Sequence, residues 1–108
     1  MKADALSQET MFFKCLSTEM LFYHAGHPLT VYMLQEGASR LEDLSRVVVG
    51  PDVERGQRLS FPVPANTWFT RLVEADHADD FSLFSCSLAP GFNIDDFDAE
   101  KIRNLIKS

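Results

Sequence analysis

Histidine, cysteine, tryptophan and basic residues are all scarce in this chain, and each scarcity excludes something. The two cysteines, Cys15 and Cys86, lie far apart and form no C-x-x-C pair, which excludes a zinc knuckle or a disulfide framework. Both are expected as reduced, buried thiols, since a free cysteine behaves as a small apolar residue. The three histidines, at positions 24, 27 and 77, offer no i, i+2 or i, i+4 pair to hold a metal between two imidazoles. His24 and His27 flank Gly26 and are expected at the surface. His77 lies in the acidic run Glu74–Asp80, which lacks the spacing, the glycine and the closing glutamate of a calcium loop.

No apolar run approaches the roughly 20 residues that span a bilayer, and the opening Met-Lys-Ala-Asp-Ala-Leu has no signal-like apolar core. The expectation is a cytoplasmic protein with no membrane partner. Ten basic residues against 16 acidic ones give a formal charge of −6, and no stripe of Lys or Arg is present. A surface of that sign repels phosphate backbones, so no nucleic-acid partner is expected.

What remains is ordinary globular composition, 45% hydrophobic and 24% charged over 108 residues, enough chain for one core. A single domain over 1–108 is expected. So small a domain sits near the low end of stability, which makes a homo-oligomer a reasonable expectation.

Two short apolar runs, Thr10–Cys15 and Glu19–His24, come first, and Gly26-His27-Pro28 breaks the chain after them. Leu29–Gln35 is rich in β-branched and aromatic residues, with Thr30 and Tyr32 alternating against apolar neighbours as in a strand. Ser45–Val49, Leu59–Val63, Trp68–Val73 and Phe81–Leu88 read as further strands. They are divided by the polar turn Gly37–Asp43, by Gly50-Pro51-Asp52, by Pro64-Ala65-Asn66 and by the acidic run. Strands at this spacing point to an antiparallel sandwich or barrel. At the C-terminus Asp98 is placed to cap a helix whose Ile102, Leu105 and Ile106 share one face.

Three stretches carry a resemblance to a known family. Thr18-Glu19-Met20-Leu21-Phe22-Tyr23-His24-Ala25-Gly26-His27-Pro28-Leu29 is one. Val49-Gly50-Pro51-Asp52, Gly56 and Phe61-Pro62-Val63-Pro64-Ala65-Asn66-Thr67-Trp68 make the second. The third is Cys86-Ser87-Leu88-Ala89-Pro90-Gly91-Phe92-Asn93-Ile94-Asp95-Asp96-Phe97. In that order they resemble the cupin 5 family of the cupin superfamily. The resemblance implies an all-β fold, a small antiparallel double-sheet jelly-roll barrel, with a short C-terminal helix added by the residue pattern. The family pattern has several more strands ahead of the position of Thr10. On that comparison an open sheet edge is expected near Thr10–Cys15, covered by a second copy in an obligate two-fold homodimer or, alternatively, by residues Met1 to Glu9 folding back within one chain.

Cupin metal sites gather two or three His and one Glu inside the barrel. The resemblance places such histidines at Phe13 and Phe69, leaving Glu19 alone, so neither a bound metal nor a cofactor is expected. Glu19 among Phe13, Leu21 and Tyr23 is either a desolvated acid or base or a carboxylate satisfied by Arg71 or Tyr23. The expectation is therefore a small, sugar-like ligand held without metal. Phe13, Leu21, Trp68, Phe69 and Arg71 would line its site, with Glu19 and Tyr23 as candidate proton carriers. Trp68, the single tryptophan, would then report binding by its fluorescence. A metal-independent sugar or sugar-nucleotide isomerase or epimerase, and a non-catalytic dimeric interaction protein whose barrel is plugged by its own phenylalanines, are the alternatives.

Overall fold

Tight turns at Gly26 and Asn66 set the course of the chain through its sheets. Gly26 has φ +89°, and a side chain there would run into the backbone carbonyl of Phe81. Asn66 holds φ +62°, the left-handed region that asparagine tolerates better than most residues. Its N–H donates to the carbonyl of Cys15 at 2.8 Å, which pins this turn to the end of another strand.

The structure is a computed structural model that describes residues 6, 10–35, 37, 40–74, 81–89 and 97–105. Its strands are β1 (Met11–Cys15), β2 (Thr18–Gly26), β3 (Leu29–Gln35) and β4 (Ser45–Val49), followed by β5 (Ser60–Val63), β6 (Thr67–Leu72), β7 (Ser82–Ala89) and β8 (Phe97–Lys101). A single helical turn, α1 (Ile102–Leu105), closes the described part. The strands form a five-stranded sheet in the order β4-β3-β6-β1-β8 and a three-stranded sheet in the order β5-β2-β7, with antiparallel pairing throughout. His77, residues 90–96 of the third family-like stretch, and Ile106 lie outside the described residues, as do residues 1–5, 7–9, 36, 38 and 39.

The large sheet is covered on both faces. In β3 six of seven residues are buried, a pattern that only two-sided packing produces. Leu29, Val31 and Met33 point toward the small sheet and join Val49, Phe69, Leu21 and Val63 in the inner core. Tyr32 and Leu34 point the other way and pack with Phe12, Leu44 and Ile102, flanked by Trp68, Leu72 and Leu105. Burying each of the larger of these side chains contributes about 1.5–3 kcal/mol. The outer core also holds a polar group: the Tyr32 hydroxyl donates to Glu74, whose other oxygen lies 3.8 Å from Arg46. Burial first, and then the bond to Glu74, hold the Tyr32 phenol above its ordinary value.

Three expectations change. The two sheets form a cupin-type sandwich and not a closed barrel: among the described residues no strand pairing joins one sheet to the other. Residues 97–101 form β8, and Asp98, expected to cap a helix, lies in that strand opposite Lys14. The expected short C-terminal helix is present, as the turn Ile102–Leu105 among the described residues. Finally, β1 has no open edge, because β8 pairs with all five of its residues, from Met11↔Lys101 to Cys15↔Phe97, while β6 flanks its other side. The edge argument for an obligate dimer therefore loses its premise.

Candidate functional site

Alternation along β2 turns Glu19, Leu21 and Tyr23 toward the space between the sheets and Met20, Phe22 and His24 away from it. Cross-strand pairing adds neighbours on the same face. Glu19 sits between Val63 and Leu88, Leu21 between Phe61 and Cys86, and Tyr23 beside Phe84. The five-stranded sheet contributes Phe69 and Arg71 from β6 and Phe13 from β1, with Phe13 and Phe69 in register as direct cross-strand partners. The N–H of Gly50 donates to the carbonyl of Arg58 at 2.8 Å, which places the β5 side of the small sheet over β4. The β7 side therefore faces β6 and β1.

Arg71 reaches across this space. Its Nη1 donates to Oε2 of Glu19 at 3.2 Å, so an ion pair joins the two sheets. The guanidinium carbon lies 5.7 Å from the centre of the Phe69 ring and 5.4 Å from that of Phe84, one ring from each sheet. A planar cation between two phenyl faces gains from both ring quadrupoles. The Glu19 side chain is only 6% exposed, whereas Arg71 is 29% exposed. The carboxylate thus lies at the floor and the guanidinium nearer solvent. Oε1 of Glu19 is buried and, among the described residues, has no strong hydrogen-bond donor, only the neighbouring Cys86 thiol to turn to.

Two exposed residues border this cluster on its solvent side. Phe13 is 37% exposed, its ring tilted by 53° against Phe69 at a centroid distance of 6.5 Å. Cys86, expected as a buried thiol, is exposed. Its thiol is nevertheless held above the ordinary thiol value, first by burial of its surroundings and then by the Glu19 carboxylate, with Arg71 opposing. It stays protonated at neutral pH and serves as a weak S–H donor. Cys15 is buried as expected, its sulfur accepting the N–H of Ser17 at 3.3 Å.

The structure brings together Glu19, Leu21, Phe13, Phe69 and Arg71, with Leu21 and Phe69 buried beneath the rest. It separates Trp68 from them. Trp68 is the neighbour of Phe69 in β6 and so faces the opposite side of the sheet, against the outer core, with the Lys14 ammonium 5.0 Å over its ring. Tyr23 lies on the cleft face, but its hydroxyl donates to the carbonyl of Gly26 at 2.8 Å. His24 bonds Ser85 Oγ at 2.7 Å on the outer face, and His27 donates from Nδ1 to the carbonyl of Pro28 at 3.0 Å. Phe84 and Cys86 were not assigned to the site from sequence. Their i, i+2 spacing on β7 was the available signal, since it puts both on one face.

The donors at this place do not fit the metal that the cupin resemblance implies. Phe13 and Phe69 present carbon where imidazoles would be needed, the carboxylate of Glu19 already faces a guanidinium, and the adjacent sulfur is a thiol that resists deprotonation. Among the described residues no group of three or more His, Cys, Asp or Glu is arranged to hold an ion. No helix among them is long and apolar enough to cross a membrane.

Comparison with known proteins agrees with the geometry. Residues 5–100 match the Cupin 5 family model, described as Cupin superfamily (DUF985). A crystal structure of a Shewanella oneidensis protein superposes with a TM-score of 0.70 at 34% identity, covering 81% of this chain and 51% of that one. A hypothetical protein from Leishmania major gives a TM-score of 0.70 at 35% identity, covering 86% and 59%. The chain thus spans between half and three-fifths of the length of these two structures. No curated protein matches the sequence significantly.

Proposed function

The chain belongs to the Cupin 5 (DUF985) family of the cupin superfamily, and from that premise we propose that its inter-sheet cleft binds a small organic ligand without a metal. The observation that carries this reading is the Arg71–Glu19 pair set between Phe69 and Phe84, beside the exposed Phe13 and Cys86. Small-molecule sites combine apolar walls with a few convergent polar groups, and this is such a set. Phe13 offers a ring face to the flat or ring-shaped body of a ligand, as a sugar ring would present, and Arg71 offers N–H donors to its oxygens.

Binding is favoured over isomerisation by the state of the two candidate proton carriers. Tyr23 spends its hydroxyl proton on a backbone carbonyl, and Glu19 spends one carboxylate oxygen on the guanidinium of Arg71. An acid–base pair needs both groups within reach of one substrate carbon.

A thermal-shift screen of neutral sugars, nucleotides and small ring amides, run with a chelator present, tests the proposal. A ligand at 100 times its Kd stabilises the native state by about 2.7 kcal/mol. For a domain of this size that raises Tm by on the order of 10 °C. Hits that require added divalent metal, or hits unaffected by Phe13→Ala, would contradict the metal-free cleft.

A further inference from the structure

Resting on that reading, we infer that Glu19 is a specificity-determining residue that makes the cleft select uncharged ligands and reject anions. A guanidinium held between two aromatic rings at the mouth of a cleft is by itself an anion site, because its fork of N–H donors matches carboxylate and phosphate. Here the position is already taken from below. Glu19 Oε2 accepts from Nη1 at 3.2 Å, and the carboxylate is 94% buried by the complement of its 6% exposure.

Two consequences follow for an incoming anion. If it shares Arg71, its charge lies close to that of Glu19 in a poorly solvated space, where like charges repel strongly. If it displaces Glu19, the carboxylate is stranded: Oε2 would lose the guanidinium, and among the described residues Oε1 has at most the weak S–H donor of Cys86 beside it. A buried carboxylate stripped of its counter-ion is among the costliest states in a protein interior. Arg71 can therefore share its remaining N–H groups but cannot leave Glu19.

An uncharged oxygen acceptor meets neither obstacle. A carbonyl, amide or hydroxyl oxygen can take an outward N–H of Arg71 while the ion pair stays intact, and its apolar body can lie on the exposed ring of Phe13. The ligand class assigned is thus a neutral ring compound bearing an oxygen acceptor, and sugar phosphates and sugar acids fall outside it.

Benzamide and benzoate test this directly, since they share a ring and a carbonyl oxygen and differ in charge. Titrations followed by NMR of the Phe13, Phe69 and Phe84 ring resonances should show benzamide binding the wild-type protein about tenfold or more tighter than benzoate. Glu19→Gln keeps the shape of the side chain and frees Arg71, so it should reverse that preference. Adding Arg71→Met to Glu19→Gln should then abolish benzoate binding. Benzoate binding the wild type as well as benzamide does would overturn the inference, as would an unchanged preference in Glu19→Gln or benzoate binding that survives loss of Arg71. If Glu19→Gln does not fold, the wild-type comparison still decides. Failure here is separable from failure of the cleft itself: neutral hits that map to these rings in the thermal-shift screen, together with no benzamide preference, would sink only the selectivity claim.

Discussion

Arg71 and Glu19 belong to opposite sheets and meet between them, so one ion pair is both the polar centre of the inter-sheet space and a tie across the sandwich. Replacing Arg71 by Met strands a carboxylate that is almost wholly buried. The expected loss is about 3 kcal/mol, the low end for breaking one side of a buried pair, since Arg71 itself is partly solvated. The double variant Glu19→Met with Arg71→Met removes both charges and should recover most of that loss. Urea denaturation reads both effects as shifts in the midpoint at constant slope. A double variant less stable than Arg71→Met alone would contradict this view of the pair.

Cys86 carries a second expectation, of pH. Burial and then the Glu19 carboxylate raise its thiol above the ordinary value, so the folded state disfavours the thiolate. Above the ordinary thiol range, about pH 8.5, the unfolded chain has released a proton that the folded chain still holds. Stability contributed by this group is therefore intact at neutral pH and falls as pH rises through that range. Alkylation by iodoacetamide should show the same displacement, with a rate midpoint above that of a free thiol that moves down in Glu19→Gln. A midpoint at the ordinary value, indifferent to Glu19, would remove the thiol from the carboxylate's influence.

Asn66 holds a positive φ, a conformation that glycine adopts freely and asparagine tolerates. Asn66→Gly should be neutral within a few tenths of a kcal/mol. Asn66→Val places a β-branched side chain in a left-handed conformation and should cost about 1–2 kcal/mol. Thermal denaturation distinguishes the two, and equal tolerance of valine would show that the turn re-forms in another conformation.

Much of the fold was legible because most strands are bounded by strong turn signals. Gly26-His27-Pro28, Gly50-Pro51-Asp52 and Pro64-Ala65-Asn66 end their strands within a residue or two of the positions read from sequence. β8 was not legible. Phe97-Asp98-Ala99-Glu100-Lys101 carries three charges and no β-branched residue, and Ile102 and Leu105 supply a helical spacing that the chain takes up only from Ile102 onward. Only pairing with β1, a contact between the two ends of the described chain, makes it a strand. The same long-range contact removes the open edge on which the dimer argument rested.

The site was half legible for a related reason. Glu19, Phe13, Phe69 and Arg71 followed from residue type and motif, but Trp68 did not separate from Phe69 until the second face of the sheet was known to be buried. When a sheet is packed on both sides, alternation tells which residues share a face and not which face holds the cleft. For Glu19 the sequence left both Arg71 and Tyr23 as partners. The distances decide for Arg71 on one oxygen and, among the described residues, leave the other with no partner stronger than the Cys86 thiol.

The central claim, a metal-free ligand site on the inner face, is tested most directly by observing both faces of β6 at once. Aromatic NMR resonances of Phe13, Phe69 and Phe84 report the cleft, while the Trp68 indole, one residue along the same strand, reports the opposite face. During titration with a hit from the chelator-treated screen, the three phenylalanine rings should shift together and saturate on one curve, with Trp68 resonances and emission unmoved. A response led by Trp68 with the phenylalanine rings silent would contradict the account.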